Sequence, residues 1–334
     1  MEKKKRTLSG MRPTGKLHLG HLVGALSNWV KLQDEYDCFF MIADWHALMS
    51  EYENPKLIKQ NSIECAIDWL ACGINPDKST IFVQSDVKEH CELHMILSII
   101  TQLAVLERCP TYKEQLREQT KRDLTTYGFL GYPVLQAADI LLYKSDVVPV
   151  GMDQLPHLEL TRLVARKFNN LYGKIFKEPK PLLTKISKLM GLDNRKMSKS
   201  YENFIALSDD EETVKKKIAT MFTDPKRVRL SDPGHPDTCN VYNYFKIFKP
   251  ILKEEIHDYC LNAKVGCTEC KKNLAGAITE YLNEVQKKRK KILQDKQAID
   301  DILDKGAEKA RSAASETMNE VRRAVGLKSG HLIV

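Results

Sequence analysis

Short apolar runs alternate with longer amphipathic stretches through the first half of the chain, and this alternation limits the possible folds more than any other feature. The runs lie at residues 6–10, 38–44, 79–85 and 146–151, and "CFFMIAD" is apolar enough for burial on both faces. Stretches between them, such as "LIKQNSIECAIDWLACG" and "YPVLQAADILLYKS", are typical of helices. The pattern predicts an α/β fold with a parallel sheet covered on both faces. Ligands of such sheets bind beyond the carboxyl ends of the strands.

The pattern changes after about residue 187. Helical periodicity continues with few strand signals, and the chain becomes highly charged and alanine-containing towards its end. A chain of 334 residues exceeds the size at which one core stops growing, so two domains are expected. We predict a Rossmann-like domain over residues 1–186 and a mostly α-helical domain over residues 187–334, whose last helix returns to the first domain.

The tetrapeptide "HLGH", His18 to His21, follows the first predicted strand and opens a helix. Glycine lets the backbone approach a ligand closely, and helix N-termini favour anions. Histidines at this position can donate hydrogen bonds to phosphate oxygens. Taken alone, the pattern fits a nucleoside triphosphate at the strand end or a helix start with two solvated histidines.

A second motif, "KMSKS" at Lys196 to Ser200, lies in a polar, loop-like stretch. Two lysines three residues apart, with serines beside them, can surround a polyphosphate with mobile charges. A loop that carries them and closes over ATP would stabilise charge on a leaving pyrophosphate. The alternative is a solvated basic loop.

Together the motifs resemble the H-I-G-H and K-M-S-K-S signatures of the class I aminoacyl-tRNA synthetases. The resemblance implies that an amino-acid carboxylate attacks the α-phosphate of ATP, pyrophosphate leaves, and the acyl group passes to the 3′ end of tRNA. Catalysis would consist of positioning and charge stabilisation, usually with Mg²⁺ on the phosphates. The catalytic residues implied by the resemblance are His18, His21, Lys196 and Lys199.

Three further stretches are similar to the tryptophan/tyrosine branch of that class: "ADWHA" at residues 43–47, "YPVLQAADILLY" at 132–143 and "PVGMDQLPHLELTR" at 149–162. The likeness to bacterial tryptophanyl-tRNA synthetases runs from about residue 6 to residue 326. It implies a homodimeric, cytoplasmic tryptophan–tRNA ligase with L-tryptophan, ATP and tRNA(Trp) as substrates. Residues 1–186 would then be the catalytic domain, with the 196–200 loop beside it, and residues 187–334 the anticodon-binding domain.

Tryptophan offers a single indole N–H donor and no acceptor in its side chain. A buried carboxylate facing that N–H gains a charge-assisted bond and rejects phenylalanine. The family gives this role to the aspartate of A-A-D-I-L-L-Y, which is Asp139 here. Tyr132 and Gln154 match positions that orient the ammonium group, His46 matches a histidine beside the ring, and Gln136 completes the tryptophan site.

The ATP site implied by the resemblance has Asp153 at the ribose and the Leu189 backbone at the adenine. Its residues are Arg12, Pro13, Thr14, Gly20, His21, Gly151, Met152, Asp153, Leu189, Lys196, Met197, Ser198, Lys199 and Ser200. Many bacterial members have glutamine in place of Arg12, T-I-G-N in place of "HLGH", and often methionine in place of Gln136. These departures put details of the mechanism in doubt, but not the reaction class.

Tyrosyl-tRNA synthetases are the rival within the branch. They also use an aspartate in the equivalent helix, so Asp139 does not distinguish the tyrosine enzymes from the tryptophan enzymes. They usually place a second, hydroxyl-binding tyrosine on the first strand. Leu8 stands there in this chain, and it supplies an apolar wall without a partner for a phenol, which favours tryptophan.

Four cysteines, spaced C-x20-C-x6-C-x2-C, form a candidate metal site: Cys239, Cys260, Cys267 and Cys270. Four thiolates suit zinc or an iron–sulfur cluster. The alternative is that the four cysteines are buried side chains whose spacing is a coincidence. A subset of bacterial tryptophanyl-tRNA synthetases carries a [4Fe-4S] cluster on a similar pattern, which favours the cluster over Zn²⁺. Its expected role is local scaffolding of the anticodon-binding domain. The other five cysteines are expected in the core.

A net charge of +8 fits a polyanionic partner without requiring one. The run "KKRKK" at residues 287–291 fits tRNA phosphates or a solvated helix face equally. No apolar window is long enough to span a membrane and the start lacks a signal-peptide core, so we expect a cytosolic protein without membrane or DNA partners. Two alternatives from other classes are a synthetase-like protein that binds nucleotide or RNA without charging tRNA, and a nucleotidylyltransferase of the same fold.

Overall fold

Five strands form one parallel sheet in the computed structural model, which describes residues 4–118, 123–183, 189–197 and 201–328. The sheet order is β3-β2-β1-β4-β5, and every neighbouring pair is parallel. The predicted α/β fold is thereby confirmed. The strands are β1 (Arg6–Met11), β2 (Asp37–Ile42), β3 (Ser79–Val83), β4 (Val147–Val150) and β5 (Lys180–Leu183).

The fifth strand was not predicted. β5 contains Pro181, which has no N–H to donate to a ladder, and the sequence around it has no alternating pattern. Proline is tolerated here because β5 is an edge strand, paired only with β4 among the described strands.

Helices precede, connect and follow the strands. The first half contains α1 (Leu19–His21), α2 (Ser27–Glu35), α3 (Asp44–Glu51), α4 (Ile58–Ala71), α5 (Glu89–Ile100), α6 (Leu103–Glu107), α7 (Pro110–Glu118), α8 (Tyr127–Leu130), α9 (Tyr132–Leu142) and α10 (Leu155–Tyr172). The second half contains α11 (Glu211–Ala219), α12 (Asn240–Phe248), α13 (Lys253–Leu261), α14 (Cys267–Ile292) and α15 (Lys296–Ala324). None of the helices within the described ranges is long and apolar enough to cross a membrane.

Strand β2 is buried on both faces, as its apolar run predicted. On one face Phe40 stacks on Trp29 of α2, with ring centroids 4.6 Å apart. On the other face Phe39 stacks on Tyr143, which follows α9, at 4.8 Å. The sheet therefore separates two apolar cores.

The last helix, α15, packs across β3. A Cβ on Gly306 would lie 1.7 Å from the carbonyl oxygen of Ile81, so only glycine allows helix and strand backbones to approach this closely. The alanines on the same helix face, Ala307, Ala310 and Ala314, are all buried. Small side chains thus bring the C-terminal helix onto the sheet.

The sheet order changes direction at β1, since the chain passes from β1 to β2 on one side and β4 joins on the other. A crevice opens at the carboxyl ends of the strands at such a point. The residues that follow β1 and β4, at 12–21 and 151–154, reach this crevice and begin the site.

Candidate functional site

A cavity of about 1070 Å³ lies at the carboxyl ends of β1 and β4. Its floor includes Leu8, Ser9 and Gly10 of β1, and residues 148–150 of β4 form part of its wall. The remaining wall brings together residues distant in the sequence: His18, Gly20, His21, His46, Tyr132, Gln136, Asp139, Asp153, Gln154, His157, Leu189, Lys196 and Met197. Its size suits two small substrates side by side.

The "HLGH" motif forms the predicted helix start. His18 is extended, and helical backbone begins at Leu19 and continues through a π-helical turn, residues 22–26. The imidazoles of His18 and His21 lie 3.8 Å apart between ring centroids, and the backbone N–H of His18 donates to His21 Nδ1. Both residues line the cavity.

The beginning of the "KMSKS" motif contacts the "HLGH" motif. A Cβ on Gly20 would lie 3.1 Å from the Met197 sulfur, so the absent side chain leaves space for Met197. Lys196 also lines the cavity, and its ammonium is 3.5 Å from a carboxylate oxygen of Glu114 on α7. Ser198, Lys199 and Ser200 lie outside the described residues.

Backbone hydrogen bonds fix the segment after this motif against the first motif. The N–H of Leu19 donates to the carbonyl of Ile205, and the N–H of Leu207 donates to the carbonyl of Leu17. His18 and Ala206 therefore form an antiparallel bridge. On the other side of the loop, Lys196 forms a similar bridge with Met190.

The residues predicted for ATP divide into two groups. Those that line the cavity are Arg12, Gly20, His21, Asp153, Leu189, Lys196 and Met197. Pro13, Thr14, Gly151 and Met152 are described but do not form part of its wall. Met152 in particular is 70% exposed, because the turn after β4 presents Asp153 and Gln154 to the cavity instead.

Asp139 lies on α9 at the bottom of the cavity and is 2% exposed. Its Oδ2 accepts from His46 Nε2 at 2.8 Å. Its Oδ1 accepts from His90 Nδ1 at 2.6 Å and from Gln84 Nε2 at 2.8 Å. Burial alone would raise the pKa of Asp139, but the hydrogen bonds and electrostatic attraction of the two histidines outweigh burial and hold that pKa well below the usual carboxyl range. The pocket thus contains a buried, ionised carboxylate.

The other residues predicted for tryptophan also line the cavity: His46, Tyr132, Gln136 and Gln154. The Tyr132 hydroxyl lies 3.3 Å from His157 Nε2, and the Cys109 sulfur lies 3.8 Å from His157 Nδ1. Burial, reinforced by the nearby His46, lowers the pKa of His157 to about 4. His157 is therefore neutral near pH 7 and orients the hydroxyl of Tyr132 without adding a charge.

Four residues of the site were not predicted from the sequence: Gln84, His90, Tyr143 and His157. Gln84 and His90 are fully buried, on the turn after β3 and on α5, and both bind Asp139. Tyr143 binds His90 Nε2 at 2.8 Å. A polar side chain directly after a buried strand, as Gln84 is after β3, was the one available signal.

The four predicted metal ligands lie close to the ends of three helices. Cys239 precedes α12, Cys260 is near the end of α13, and Cys267 and Cys270 are in the first turn of α14. Burial, followed by repulsion from the other three thiols, raises the pKa of Cys270 to about 12. In the described part of the chain, no three His, Cys, Asp or Glu side chains are placed to hold a metal ion. The donor chemistry is present, but the arrangement does not by itself form a metal site.

The basic run at 287–291 does not face a single direction. Arg289 is only 9% exposed, and its guanidinium pairs with Asp68 and Glu64 of α4. Lys287, Lys288, Lys290 and Lys291 remain on the exposed side of α14. One of the five cations is thus structural.

Comparisons with known proteins identify the family of this chain. The family model for class I tRNA synthetases (W and Y) matches residues 1–283. The tryptophan–tRNA ligase of Thermotoga maritima is 51% identical, with 96% of this chain and 99% of the relative covered. That of Aquifex aeolicus is 43% identical, with 96% and 100% covered. This chain belongs to the tryptophanyl-tRNA synthetase family of class I.

A solved structure supports the assignment to this synthetase family. Tryptophanyl-tRNA synthetase from Campylobacter jejuni, in complex with ADP and tryptophan, superposes with a TM-score of 0.87 at 37% identity. The match covers 96% of this chain and all of the other. The fold and the near-complete length of this synthetase are therefore shared.

Proposed function

We propose that this synthetase activates L-tryptophan with ATP and transfers it to the 3′ end of tRNA(Trp). The observation that carries the proposal is the buried, ionised Asp139 at the bottom of a cavity that also contains His18, His21 and Lys196. A buried carboxylate kept ionised by its hydrogen bonds is a strong acceptor for one N–H donor. The indole N–H of tryptophan is such a donor.

The two signature motifs supply the phosphate side. His18 and His21 offer imidazole N–H groups, and Lys196 offers a mobile ammonium at the same cavity wall. We propose that they bind the triphosphate and stabilise charge on the leaving pyrophosphate, together with Lys199 and the Mg²⁺ that accompanies ATP. No side chain needs to form a covalent bond with the substrate, since the tryptophan carboxylate is itself the nucleophile.

Tyr132, Gln136 and Gln154 form the part of the wall that we assign to the tryptophan ammonium group. Tyr132 is held by neutral His157, so its oxygen can accept from the ammonium group without a competing charge. Leu8 lines the floor and offers no partner to a phenol, which supports tryptophan over tyrosine. Arg12 also lines the cavity, and we propose that it adds positive charge near the phosphates.

The test is amino-acid-dependent exchange of pyrophosphate into ATP, with tryptophan and tyrosine side by side, on protein purified without oxygen. We expect exchange with tryptophan alone. The change Asp139→Asn should lower kcat/KM for tryptophan about tenfold to a hundredfold, the value of a charge-assisted hydrogen bond. Asp300→Asn on the exposed side of α15 is the control. Exchange with tyrosine, or full activity of Asp139→Asn, would contradict the proposal.

We also propose that residues 187–334 form the anticodon-binding domain, and that the protein acts in the cytoplasm as a homodimer. The exposed lysines flanking Arg289 support an RNA contact on α14. Replacing Lys287 and Lys291 by glutamine should raise the KM for tRNA and leave pyrophosphate exchange unchanged. Sedimentation equilibrium at several concentrations should give twice the chain mass, and a monomer would contradict the dimer.

The four cysteines are proposed to hold a [4Fe-4S] cluster, with Zn²⁺ as the alternative. The support is chemical: the four thiols lie at the ends of three helices, the other three are close enough to raise the pKa of Cys270, and each can bind a soft metal as thiolate. The metal would scaffold the second domain. Iron, sulfide and zinc analysis of anaerobically purified protein distinguishes the two. Cys267→Ser should weaken tRNA charging more than pyrophosphate exchange, with exposed Cys91→Ser as the control; equal charging by both variants would contradict a metal role.

A further inference from the structure

The two carboxylate oxygens of Asp139 have different surroundings. Oδ2 accepts from His46, which lines the cavity and would meet a bound substrate. Oδ1 accepts from Gln84 and His90, both fully buried and neither part of the cavity wall. The carboxylate is therefore held from behind by one oxygen, and the other oxygen is directed towards the cavity side.

Gln84 is an unfavourable residue for its position unless it has a role. Its side chain is completely buried after β3, and within the described residues its Oε1 has no hydrogen-bond partner. A buried amide oxygen without a partner lowers stability, and an apolar side chain of the same size would avoid that loss. The amide donates only from Nε2, and the acceptor is Asp139 Oδ1.

Tyr143 holds the far side of the His90 ring. Its hydroxyl lies 2.8 Å from His90 Nε2, and Nδ1 on the other side carries a proton because the Asp139 carboxylate can only accept. That proton is then donated to Asp139 Oδ1 at 2.6 Å. The chain Tyr143–His90–Asp139 thus runs entirely through buried groups on α5, on α9 and directly after α9.

We propose that Gln84, His90 and Tyr143 determine amino-acid specificity as positioning residues, by fixing Oδ1 of Asp139 so that Oδ2 is aimed at the indole N–H. His46 shares Oδ2, and the substrate N–H joins or replaces it there. This inference rests on the proposed function, because it concerns how the same cavity recognises tryptophan. None of these three residues lines the cavity, so they act through Asp139.

A positioning role differs from a merely structural one in what it changes. If Oδ1 loses a donor, Asp139 can rotate, and only a substrate that uses the N–H contact loses affinity. A substrate of the same shape without that N–H is insensitive to the direction of Oδ2. General loosening of the fold would instead reduce the activity with both substrates alike.

The experiment compares L-tryptophan with 3-benzothienyl-L-alanine, in which sulfur replaces the indole N–H, by pyrophosphate exchange. The variants are Gln84→Met and Tyr143→Phe, which remove one donor each and keep the size of the side chain. The control is Thr80→Val on β3, whose hydroxyl is equally buried and makes no contact with Asp139. Circular dichroism and thermal unfolding report whether each variant is folded.

We expect the wild type to prefer tryptophan clearly over the analogue. In Gln84→Met the KM for tryptophan should rise about tenfold or more, as expected for loss of a bond to a charged group. The KM for ATP and the kcat/KM for the analogue should stay within about twofold of the wild type, since neither uses the N–H contact. Tyr143→Phe should raise the KM for tryptophan by a smaller factor, and Thr80→Val should behave as wild type.

Two results would overturn the inference. One is an equal fall with tryptophan and the analogue in both variants; the other is an unchanged KM for tryptophan in either folded variant. If Gln84→Met does not fold, Tyr143→Phe decides alone, because it removes only a hydroxyl at the end of the chain. Absence of tryptophan-dependent exchange in the wild type would instead refute the proposed function, so the two failures are distinguishable.

Discussion

His157 shows how a single buried residue makes the stability of this synthetase depend on pH. It lines the cavity wall, lies between Cys109 and Tyr132, and is 2% exposed. Burial lowers the pKa of His157 to about 4 in the folded protein, whereas an unfolded histidine titrates near 6.5. Between these values the unfolded chain binds a proton that the folded protein does not.

The free energy of unfolding therefore falls as the pH is lowered from about 6.5 to about 4, because the unfolded state binds more protons there. Between about pH 7.5 and about pH 5.5 we expect a loss of about 1 kcal/mol from His157. Urea unfolding at both pH values checks this. His157→Gln should show a smaller loss by that amount, and an identical loss in the variant would contradict the assignment.

Asp139 and its surroundings show what the sequence reveals at this scale. The carboxylate was predicted because its motif matches a known family and its neighbours are apolar. Gln84 and His90 were not, since they lie 55 and 49 residues away from it in the chain. Their roles depend on β3 and α5 packing beside α9, which no local pattern encodes.

At the scale of elements, α14 is joined to α4 by a buried ion pair. Arg289 pairs with Asp68, which is 3% exposed, and with the less buried Glu64. Burial raises the pKa of Asp68 to about 6, although the charge of Arg289 opposes the shift. Removing either partner alone would therefore be strongly destabilising, because the other charge would stay buried without a counter-ion.

Arg289→Met should lower the free energy of unfolding by about 3 kcal/mol, since it leaves Asp68 buried without its cation. Adding Asp68→Leu should recover most of the loss. Lys290→Met, one residue along on the exposed side, should change stability by less than about 0.5 kcal/mol. Denaturant titration of the four proteins tests this, and equal effects of Arg289→Met and Lys290→Met would refute it.

The contact of α15 with β3 gives a second matched pair of changes. A Cβ on Gly306 would collide with the Ile81 carbonyl, so Gly306→Ala should destabilise the protein by about 1–3 kcal/mol. Gly276, in the middle of α14, has nothing within 4 Å of its Cβ position. Gly276→Ala should therefore stabilise by about 1 kcal/mol through helix propensity. The midpoint of thermal unfolding should fall for Gly306→Ala and rise for Gly276→Ala. Shifts in the same direction would contradict the close approach of α15 to β3.

Elements with a clear hydrophobic pattern could be predicted from the sequence. Elements that depend on pairing or packing with neighbouring strands and helices could not. The apolar runs gave β1 to β4 to within a few residues, and the clearest of them is β2, whose apolar residues are buried on both faces of the sheet. Among the described strands β5 pairs with β4 alone, and its proline conceals it in the sequence. The basic run on α14 likewise gave no sign that Arg289 alone points inward.

For the whole molecule, the two proposed domains share their cores. One cluster joins Leu17 and Leu19 to Leu274 and Ile278 of α14. The other joins Phe82 to Ala310 of α15. If the two proposed domains were independent units joined by a linker, each apolar cluster would contain residues of one domain alone.

We therefore expect a single cooperative thermal transition, in which the calorimetric and van't Hoff enthalpies agree. Differential scanning calorimetry at several scan rates is the measurement. Near-UV and far-UV circular dichroism should report the same midpoint. Two resolved transitions would mean that the shared clusters contribute little to cohesion.

The bridges at both ends of the "KMSKS" segment have a consequence for natural variation in chain length. Lys196 is bridged to Met190, and Ala206 is bridged to His18, so an inserted residue between 196 and 206 changes the length of chain that must span these two fixed points. The exposed turn at Gly173 has no such restriction, because nothing lies within 4 Å of its Cβ position. Among homologous genes, insertions and deletions should therefore be rare between residues 196 and 206 and tolerated at turns such as this one.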